Sequence, residues 1–142
     1  MRGAVVLIGD GKVALVRRVN VQGTYYVFPG GGVEAGETVR DAAIREAHEE
    51  LGMTVRLGDL LCIVHFVDEQ HYFAAHAVAG DFGTRNGAEF SADAEAGSYE
   101  PVWLSCADLT QYDVYPVRLA ELISLNALGA AVTPVIVEEV RR

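Results

Sequence analysis

The chain has 142 residues, enough for one domain spanning residues 1–142 with a sizeable hydrophobic core. Hydrophobic residues make up 51% of the sequence, which excludes a globally disordered chain. The formal net charge of −9 argues against stable binding to nucleic acid or membranes through a basic surface, and it would repel an anionic substrate unless a cation were bound nearby.

The sequence shows no signal-peptide pattern and no apolar run of membrane-spanning length, so a cytoplasmic protein is expected. The two cysteines, Cys62 and Cys106, lie among apolar residues, where buried reduced thiols are expected. No internal repeat, low-complexity tract or interdomain linker is found along the chain.

Two strands are predicted at the start of the chain. Gly3–Ile8 is apolar and β-branched, and an Asp-Gly turn at 10–11 leads into a second strand over Lys12–Val19. Because residues two apart share a face of a strand, Arg17 and Arg18 point to opposite sides. One of them could reach a phosphate, and Arg17 is the candidate; a solvated strand edge is the alternative for either arginine.

A short third strand, Tyr25–Phe28, is ended by Pro29. Tyr25, Tyr26 and Phe28 give this strand three aromatic side chains, which fit a hydrophobic core. A glycine-rich loop follows this strand directly.

The loop leads into a helix that is predicted over Val39–Leu51, a stretch rich in helix formers and free of proline. Thr38 is a suitable N-cap, and Asp41 three residues later has the spacing of a capping box. Gly52 fits the left-handed residue that closes a helix.

Three glutamates on this helix, Glu46, Glu49 and Glu50, fall at i, i+3 and i+4, so their carboxylates project from one face. Like charges at this spacing destabilise an isolated helix by about a few tenths of a kcal/mol. A divalent cation would reverse that effect, and hard oxygen ligands suit Mg²⁺, with Mn²⁺ as a substitute. A solvated acidic face is the simpler interpretation of the helix taken alone.

After the helix, Val55–Phe66 and His71–Gly80 are predicted strands joined by a turn at 68–70. Residues 81–97 have no regular pattern, and an irregular stretch of this length in a compact domain is usually functional or mobile. A short strand over Tyr99–Leu104 comes next.

Two helices are predicted near the C-terminus, one from Ser105 and one from Pro116 to about Leu128. The apolar tail Val132–Val140 is expected to pair with a sheet edge or with another subunit, which would give a homodimer. The order β-β-β-α-β-β-β-α-α indicates an α+β domain with a mixed sheet between helices.

The glycine loop and the first helix together resemble the Nudix box of the Nudix hydrolases. The box positions are matched, at the spacing of the pattern, by Gly31, Glu37, Arg45, Glu46, Glu49, Glu50 and Gly52. Ala47 departs from the pattern, because a larger aliphatic residue is usual there, whereas Met53 fills the closing apolar position.

The resemblance implies an α/β/α sandwich with a mixed central sheet. It also implies hydrolysis of a phosphoanhydride bond in a nucleoside diphosphate linked to another moiety, with Mg²⁺ or Mn²⁺ as cofactor. Glu46 and Glu50 are the implied principal metal ligands, Glu49 is a ligand or the general base, and the backbone carbonyl of Gly31 is a further ligand.

Other site positions are implied by the same resemblance. Side chains of the strand before the box can stack on the base of a substrate, and Tyr26 and Phe28 are the candidates, with the hydrophobic core as the alternative. Glu37 and Arg45 would fasten the loop to the helix and orient the catalytic carboxylates. In many Nudix enzymes a glutamate from a later loop approaches the metals; Glu95 is the first candidate here and Glu100 the second, with a solvated acidic loop as the alternative.

The sequence leaves the substrate open among small nucleotide derivatives. Tyr72 lies near, but not clearly at, the position of a tyrosine that tends to mark dinucleoside polyphosphate hydrolases. No proline between Met53 and Pro101 matches the one that tends to mark ADP-ribose hydrolases. A nucleoside triphosphate or a nucleotide sugar remains. The alternative function is a non-catalytic sensor of a nucleotide derivative with a Nudix fold.

Overall fold

The structure, a computed structural model, describes residues 1–83, 98–128 and 134–138. The strands in these ranges are β1 (Arg2–Gly9), β2 (Lys12–Asn20), β3 (Gly23–Val27), β4 (Gly30–Gly32), β5 (Met53–Phe66), β6 (Asp68–Gly80), β7 (Ser98–Ser105), β8 (Val114–Tyr115) and β9 (Val135–Glu138). The helices are α1 (Val39–Leu51), a 3₁₀ helix (Cys106–Gln111) and α2 (Val117–Ser124). Within the described ranges, none of the helices has the length and apolar content to cross a membrane.

The described strands form one mixed sheet in the order β8-β3-β2-β1-β6-β5-β9, with β4 paired to β1 and β7 paired to β2. The pairs β1–β6, β3–β8 and β5–β9 are parallel, and the other pairs are antiparallel. β1 pairs with β2 only through Ile8 and Gly9, whereas its first three residues pair with β4. β1 and β2 therefore diverge, which leaves a fork between them.

Buried side chains cover both faces of the sheet, because successive residues of β1 and β2 point to opposite sides. The cluster against α1 contains Val5, Leu7, Ala14, Ala43, Ala47 and Leu51. The cluster against the 3₁₀ helix and α2 contains Val6, Val13, Leu15, Leu109 and Leu119. The sheet thus lies between helices, and the predicted α/β/α sandwich with a mixed sheet is confirmed.

α1 has the predicted bounds and caps. The Thr38 hydroxyl accepts a hydrogen bond from the Asp41 amide at 3.0 Å, and the Asp41 carboxylate accepts one from the Thr38 amide at 3.1 Å. Gly52 closes the helix in the left-handed conformation with φ 77°. Ala47, the residue that departs from the box pattern, is fully buried. These caps fix the two ends of α1, the helix that carries the three glutamates.

Later boundaries differ from the predictions. β6 begins at Asp68 rather than after a turn at 68–70, because the single residue Val67, at φ 62°, reverses the chain. The helix predicted from Ser105 is a 3₁₀ helix, and the Ser105 side chain makes no capping hydrogen bond. α2 ends at Ser124, two residues before Asn126 adopts φ 54°.

The described part of the apolar tail forms β9, which runs parallel to β5 at the edge of the sheet. The predicted pairing of the tail with a sheet edge is therefore observed for β9. The predicted homodimer stays a prediction. Cys62 is buried and Cys106 is half-buried, no disulfide joins them, and burial raises the pKa of the Cys106 thiol.

Candidate active site

The three glutamates of α1 lie on one helix face, as the spacing predicts, and they differ in burial. The Glu50 side chain is 3% exposed and the Glu46 side chain is 11% exposed, whereas the Glu49 side chain is 30% exposed. Buried carboxylates are stable only with hydrogen-bond or cationic partners, so the partners of Glu46 and Glu50 define the site.

Glu46 lies against the middle glycine of β4. A Cβ atom built on Gly31 would collide with the Glu46 carboxylate. The backbone of β4 and the carboxylate of α1 therefore approach more closely than any side chain at Gly31 would allow. Gly31, the first glycine of the box, therefore makes this close contact possible.

Glu50 joins the helix to the start of β4. Its Oε1 accepts a hydrogen bond from the Gly30 amide at 2.8 Å, and its Oε2 lies 3.7 Å from Nη2 of Arg18. A carboxylate that accepts a backbone hydrogen bond and faces a guanidinium has its negative charge compensated. Arg18 also lies over the Tyr99 ring, at 5.2 Å from the ring centre.

Arg45 is the cation that connects the glycine loop to the acidic face. Its Nε donates to Glu37 Oε2 at 2.8 Å and its Nη2 donates to Glu37 Oε1 at 3.1 Å, a two-pronged pairing. Its Nη1 donates to Glu46 Oε1 at 2.8 Å and to Glu49 Oε2 at 3.4 Å. Its Nη2 also donates to the Gly32 carbonyl at 3.1 Å. The predicted link between loop and helix is therefore present in the geometry.

These contacts shift two pKa values. The hydrogen bonds from Arg45, followed by the one from the Glu34 amide, lower the pKa of Glu37 below its ordinary value. The hydrogen bond to Glu37 is in turn the largest cause that raises the pKa of Arg45. Both groups are ionised over the whole neutral range.

Replacing Glu37 with glutamine should lower the unfolding temperature of the metal-free protein at neutral pH, with a smaller difference in acid. Because the folded-state pKa is lowered, the contribution of Glu37 is present above its unfolded-state pKa and is lost as the pH falls through the lowered value. Thermal unfolding of both proteins between pH 7 and pH 3, in a chelator, measures this. A difference that persists unchanged at the acid end would contradict the assignment.

The donor atoms of the acidic face fit a hard divalent cation. Glu46, Glu49 and Glu50 supply carboxylate oxygens, the ligands that Mg²⁺ and Mn²⁺ prefer, and the backbone of Gly31 lies directly against Glu46. In the structure Arg45 holds Glu46 and Glu49, and no three acidic, histidine or cysteine side chains of the described ranges converge as a metal site. The oxygens of Glu46 and Glu49 would therefore be shared between Arg45 and a bound cation.

A cavity of about 450 Å³ lies beside this face, in the fork between β1 and β2. Its aromatic lining consists of Tyr25, Phe28, Phe66, Tyr72 and Tyr115. Two cationic side chains, Arg2 and Arg18, line the same cavity, and Gly30 belongs both to its wall and to the hydrogen bond with Glu50. Its volume is in the range of small-molecule sites.

Of the three predicted substrate-binding residues, the structure brings only Phe28 to the cavity. Tyr26 packs against the core and contacts Tyr112 edge to face, with ring centres 5.5 Å apart. Arg17 donates from Nη1 to Glu100 Oε1 at 3.1 Å, on the strand face opposite Arg18.

The loop-glutamate candidates have different outcomes. Glu95 lies outside the residues that the structure describes. Glu100 is described, pairs with Arg17 and points away from the face on which Arg18 meets Glu50. Its position therefore separates it from the carboxylates of α1.

The sequence analysis considered Arg18 and Tyr25 but chose Arg17, Tyr26 and Phe28, and it missed Gln70 and Tyr115 of the cavity wall. The two-residue period shows that Arg18 opposes Arg17, but it does not show which side of the strand faces α1. The register pairs Arg18 with Tyr25, so choosing the correct face for one residue would have found both.

Comparison with known proteins defines the class. The family model of the NUDIX domain matches residues 1–124, and the chain belongs to the Nudix family. The chain is 30% identical over 132 residues to a CTP pyrophosphohydrolase of Escherichia coli (strain K12), covering 90% of this chain and 92% of that one. The predicted Nudix-type pyrophosphohydrolase is thereby confirmed.

Two further relatives agree with this family. A putative 8-oxo-dGTP diphosphatase of Bacillus subtilis (strain 168) is 34% identical over 92 residues, which is 63% of this chain and 55% of that protein. The crystal structure of a NUDIX hydrolase from Nitrosomonas europaea has a TM-score of 0.72 at 18% identity, covering 97% of this chain and 78% of that chain. The second likeness shows the fold.

Proposed function

We propose that the chain hydrolyses a phosphoanhydride bond of a small nucleotide derivative with Mg²⁺, or with Mn²⁺ as a substitute. One observation carries the proposal: Gly30 joins the aromatic cavity to the carboxylate face, because it lines the cavity and its amide binds Glu50. A substrate held by its base among the rings would place its phosphates beside the acidic helix.

A nucleoside triphosphate is the substrate class that this arrangement favours. Tyr25 and Tyr115 meet edge to face at 6.3 Å, and Phe28 and Tyr72 do so at 5.7 Å, so rigid rings are available for a base. Arg2 and Arg18 add positive charge to the wall of the same cavity in a chain of net charge −9. The names of the Escherichia coli and Bacillus subtilis relatives, a CTP and an 8-oxo-dGTP hydrolase, support this class.

The carboxylates of α1 have the proposed role of holding the cation. Glu46 and Glu50 are the principal ligands, Glu49 is a ligand or the general base, and the Gly31 carbonyl is a further ligand. The bound cation would neutralise charge that develops on the phosphate oxygens. Glu49 is the best placed to take a proton from water, because it is the most exposed of the three side chains.

The supporting residues orient this face. Arg45 anchors Glu46 and Glu49 while Glu37 holds the other edge of the guanidinium, so Glu37 and Arg45 are positioning residues. Glu95 and Glu100 remain the proposed alternatives for the general base, and the pairing of Glu100 with Arg17 makes it the weaker of the two.

A hydrolysis screen tests the proposal. Nucleoside triphosphates, ADP-ribose, nucleotide sugars and dinucleoside polyphosphates are incubated with the protein in Mg²⁺, in Mn²⁺ and in a chelator, and the phosphate products are identified. Triphosphate cleavage that disappears in the chelator is expected. Tight binding of one compound without turnover of any would favour the non-catalytic sensor instead.

Arg18 and Arg17 give a matched pair of substitutions for the substrate site. Arg18→Gln is expected to raise KM for the best triphosphate by about tenfold, because a charge-assisted contact to phosphate is lost. Arg17→Gln removes only an exposed pair with Glu100 and should change KM little. Steady-state kinetics of both variants measures this, and equal KM values for the two would contradict the placement of Arg18.

A further inference from the structure

Gln70 is a buried amide that the proposed chemistry does not use. Among the described residues, the buried polar or charged side chains are Glu46, Glu50 and Gln70, and the two glutamates belong to the carboxylate face. Gln70 is 6% exposed, lies on β6 and lines the aromatic cavity. Burying an amide is unfavourable unless its hydrogen bonds are made, so its position calls for a partner.

The oxygen of the Gln70 amide has a hydrogen-bond partner in the protein. The Tyr72 hydroxyl donates to Gln70 Oε1 at 2.9 Å, and Tyr72, itself 6% exposed, lines the same cavity. No other hydrogen bond of the Gln70 side chain occurs within the described residues. Tyr72 occupies the amide oxygen, so the two N–H groups of the amide are left as donors. Because Gln70 lines the cavity, a ligand in the cavity can accept from them.

We propose that Gln70 is a specificity-determining residue, whose amide N–H groups bind a carbonyl oxygen on the nucleobase held among the aromatic rings. This inference rests on the proposed function, because it places a nucleotide in the cavity. Cytosine, uracil and guanine each carry a ring carbonyl oxygen, and adenine carries none. Gln70 therefore favours carbonyl-bearing bases over adenine.

The selectivity has a simple physical origin. A ligand that offers a carbonyl acceptor pairs with the N–H donors of Gln70, whereas a ligand without one displaces water from the cavity and leaves these donors unpaired. Sites built to hydrogen-bond a ligand group reject analogues that lack the group far better than apolar pockets separate ligands by size. The Tyr72 hydroxyl sharpens this effect because it fixes the orientation of the amide.

Binding of CMP, UMP, GMP, AMP and ribose 5-phosphate, measured by calorimetry in a chelator, tests the inference without hydrolysis. The wild type should bind the three carbonyl-bearing nucleotides more tightly than AMP, and all three more tightly than ribose 5-phosphate. Gln70→Leu, a substitution of similar volume, should weaken the three by about tenfold and leave AMP and ribose 5-phosphate unchanged. Gln111→Leu, at the end of the 3₁₀ helix outside the cavity, should change nothing.

Three results would overturn the inference: equal losses for all five compounds in Gln70→Leu, no loss for any, or wild-type affinity for ribose 5-phosphate as high as for the nucleotides. If Gln70→Leu does not fold, Tyr72→Phe takes its place. Without the Tyr72 hydroxyl the Gln70 amide can turn, so the ratio of affinities for the carbonyl-bearing nucleotides and for AMP should fall severalfold while the affinity for ribose 5-phosphate stays the same. An unchanged ratio would overturn the inference.

The two proposals fail in different ways. Selective binding through Gln70 without hydrolysis of any triphosphate would remove the enzymatic proposal and leave the binding role of Gln70. Metal-dependent hydrolysis with the same order of triphosphate preference in the wild type and in Gln70→Leu would support the enzymatic proposal and remove the role of Gln70 in specificity. The ratio of kcat/KM for CTP to that for ATP in the two proteins provides this second readout.

Discussion

Replacing Glu49 with glutamine is expected to lower kcat for the best triphosphate by about 10²- to 10⁴-fold, the usual contribution of a general acid–base group. The substitution keeps the shape of the side chain and removes its charge. Glu49 is partly exposed and contacts Arg45 at 3.4 Å, and a long ion pair that water still reaches contributes only about 1 kcal/mol to stability. The unfolding temperature should therefore barely change.

Glu34 provides the matched control for this experiment. Its carboxylate lies 3.7 Å from the same Nη1 of Arg45, but its side chain is 68% exposed and sits in the loop before α1. Glu34→Gln should leave kcat near the wild-type value. Steady-state kinetics at saturating Mg²⁺ compares the two variants. Full turnover in Glu49→Gln, or an equal loss in Glu34→Gln, would remove the catalytic role assigned to Glu49.

Gly31→Ala is the second substitution with a large expected effect. The new Cβ would lie 2.5 Å from the carboxyl carbon of Glu46, so either β4 or the Glu46 side chain has to move. Moving the Glu46 carboxylate would break its 2.8 Å hydrogen bond with Arg45, which should destabilise the fold by about 1 kcal/mol. It should also weaken Mn²⁺ binding by about tenfold or more, because displaced ligand groups lower metal affinity to this degree.

The adjacent glycine separates this steric effect from a change in backbone freedom. A Cβ atom added to Gly32 would meet no heavy atom within 4 Å, and neither Gly31 nor Gly32 has a positive φ. Gly32→Ala should therefore keep both stability and Mn²⁺ affinity. Calorimetric titration with Mn²⁺ and thermal unfolding in a chelator measure the two effects. Equal behaviour of the two alanine variants would show that the space beside Glu46 is unimportant.

The parts of the molecule that were predictable are those with a local signal. The capping pair Thr38 and Asp41, the closing Gly52 and the helix between them follow from residue type and spacing alone. The common face of Glu46, Glu49 and Glu50 follows from helical geometry, and their burial against β4 does not. That burial depends on a close approach at Gly31.

The parts that were not predictable depend on partners distant in sequence. β4 consists of Gly30–Gly32 and has no side chains that could show a strand pattern; its pairing with β1 defines it. Arg17 and Arg18 alternate on β2, and only the packing of α1 on one side decides which of them meets Glu50. The cavity combines residues from seven strands, β1 to β6 and β8, so no single stretch of sequence contains it.

Arg45 supplies positive charge to the acidic face of α1 without any divalent ion. Its guanidinium donates hydrogen bonds to Glu46 and Glu49 as well as to Glu37, so the repulsion expected on this helix is reduced before any ion binds. The divalent ion proposed above would then bind to a chain that is already folded. It would exchange with solvent, and its loss would stop turnover without unfolding the protein.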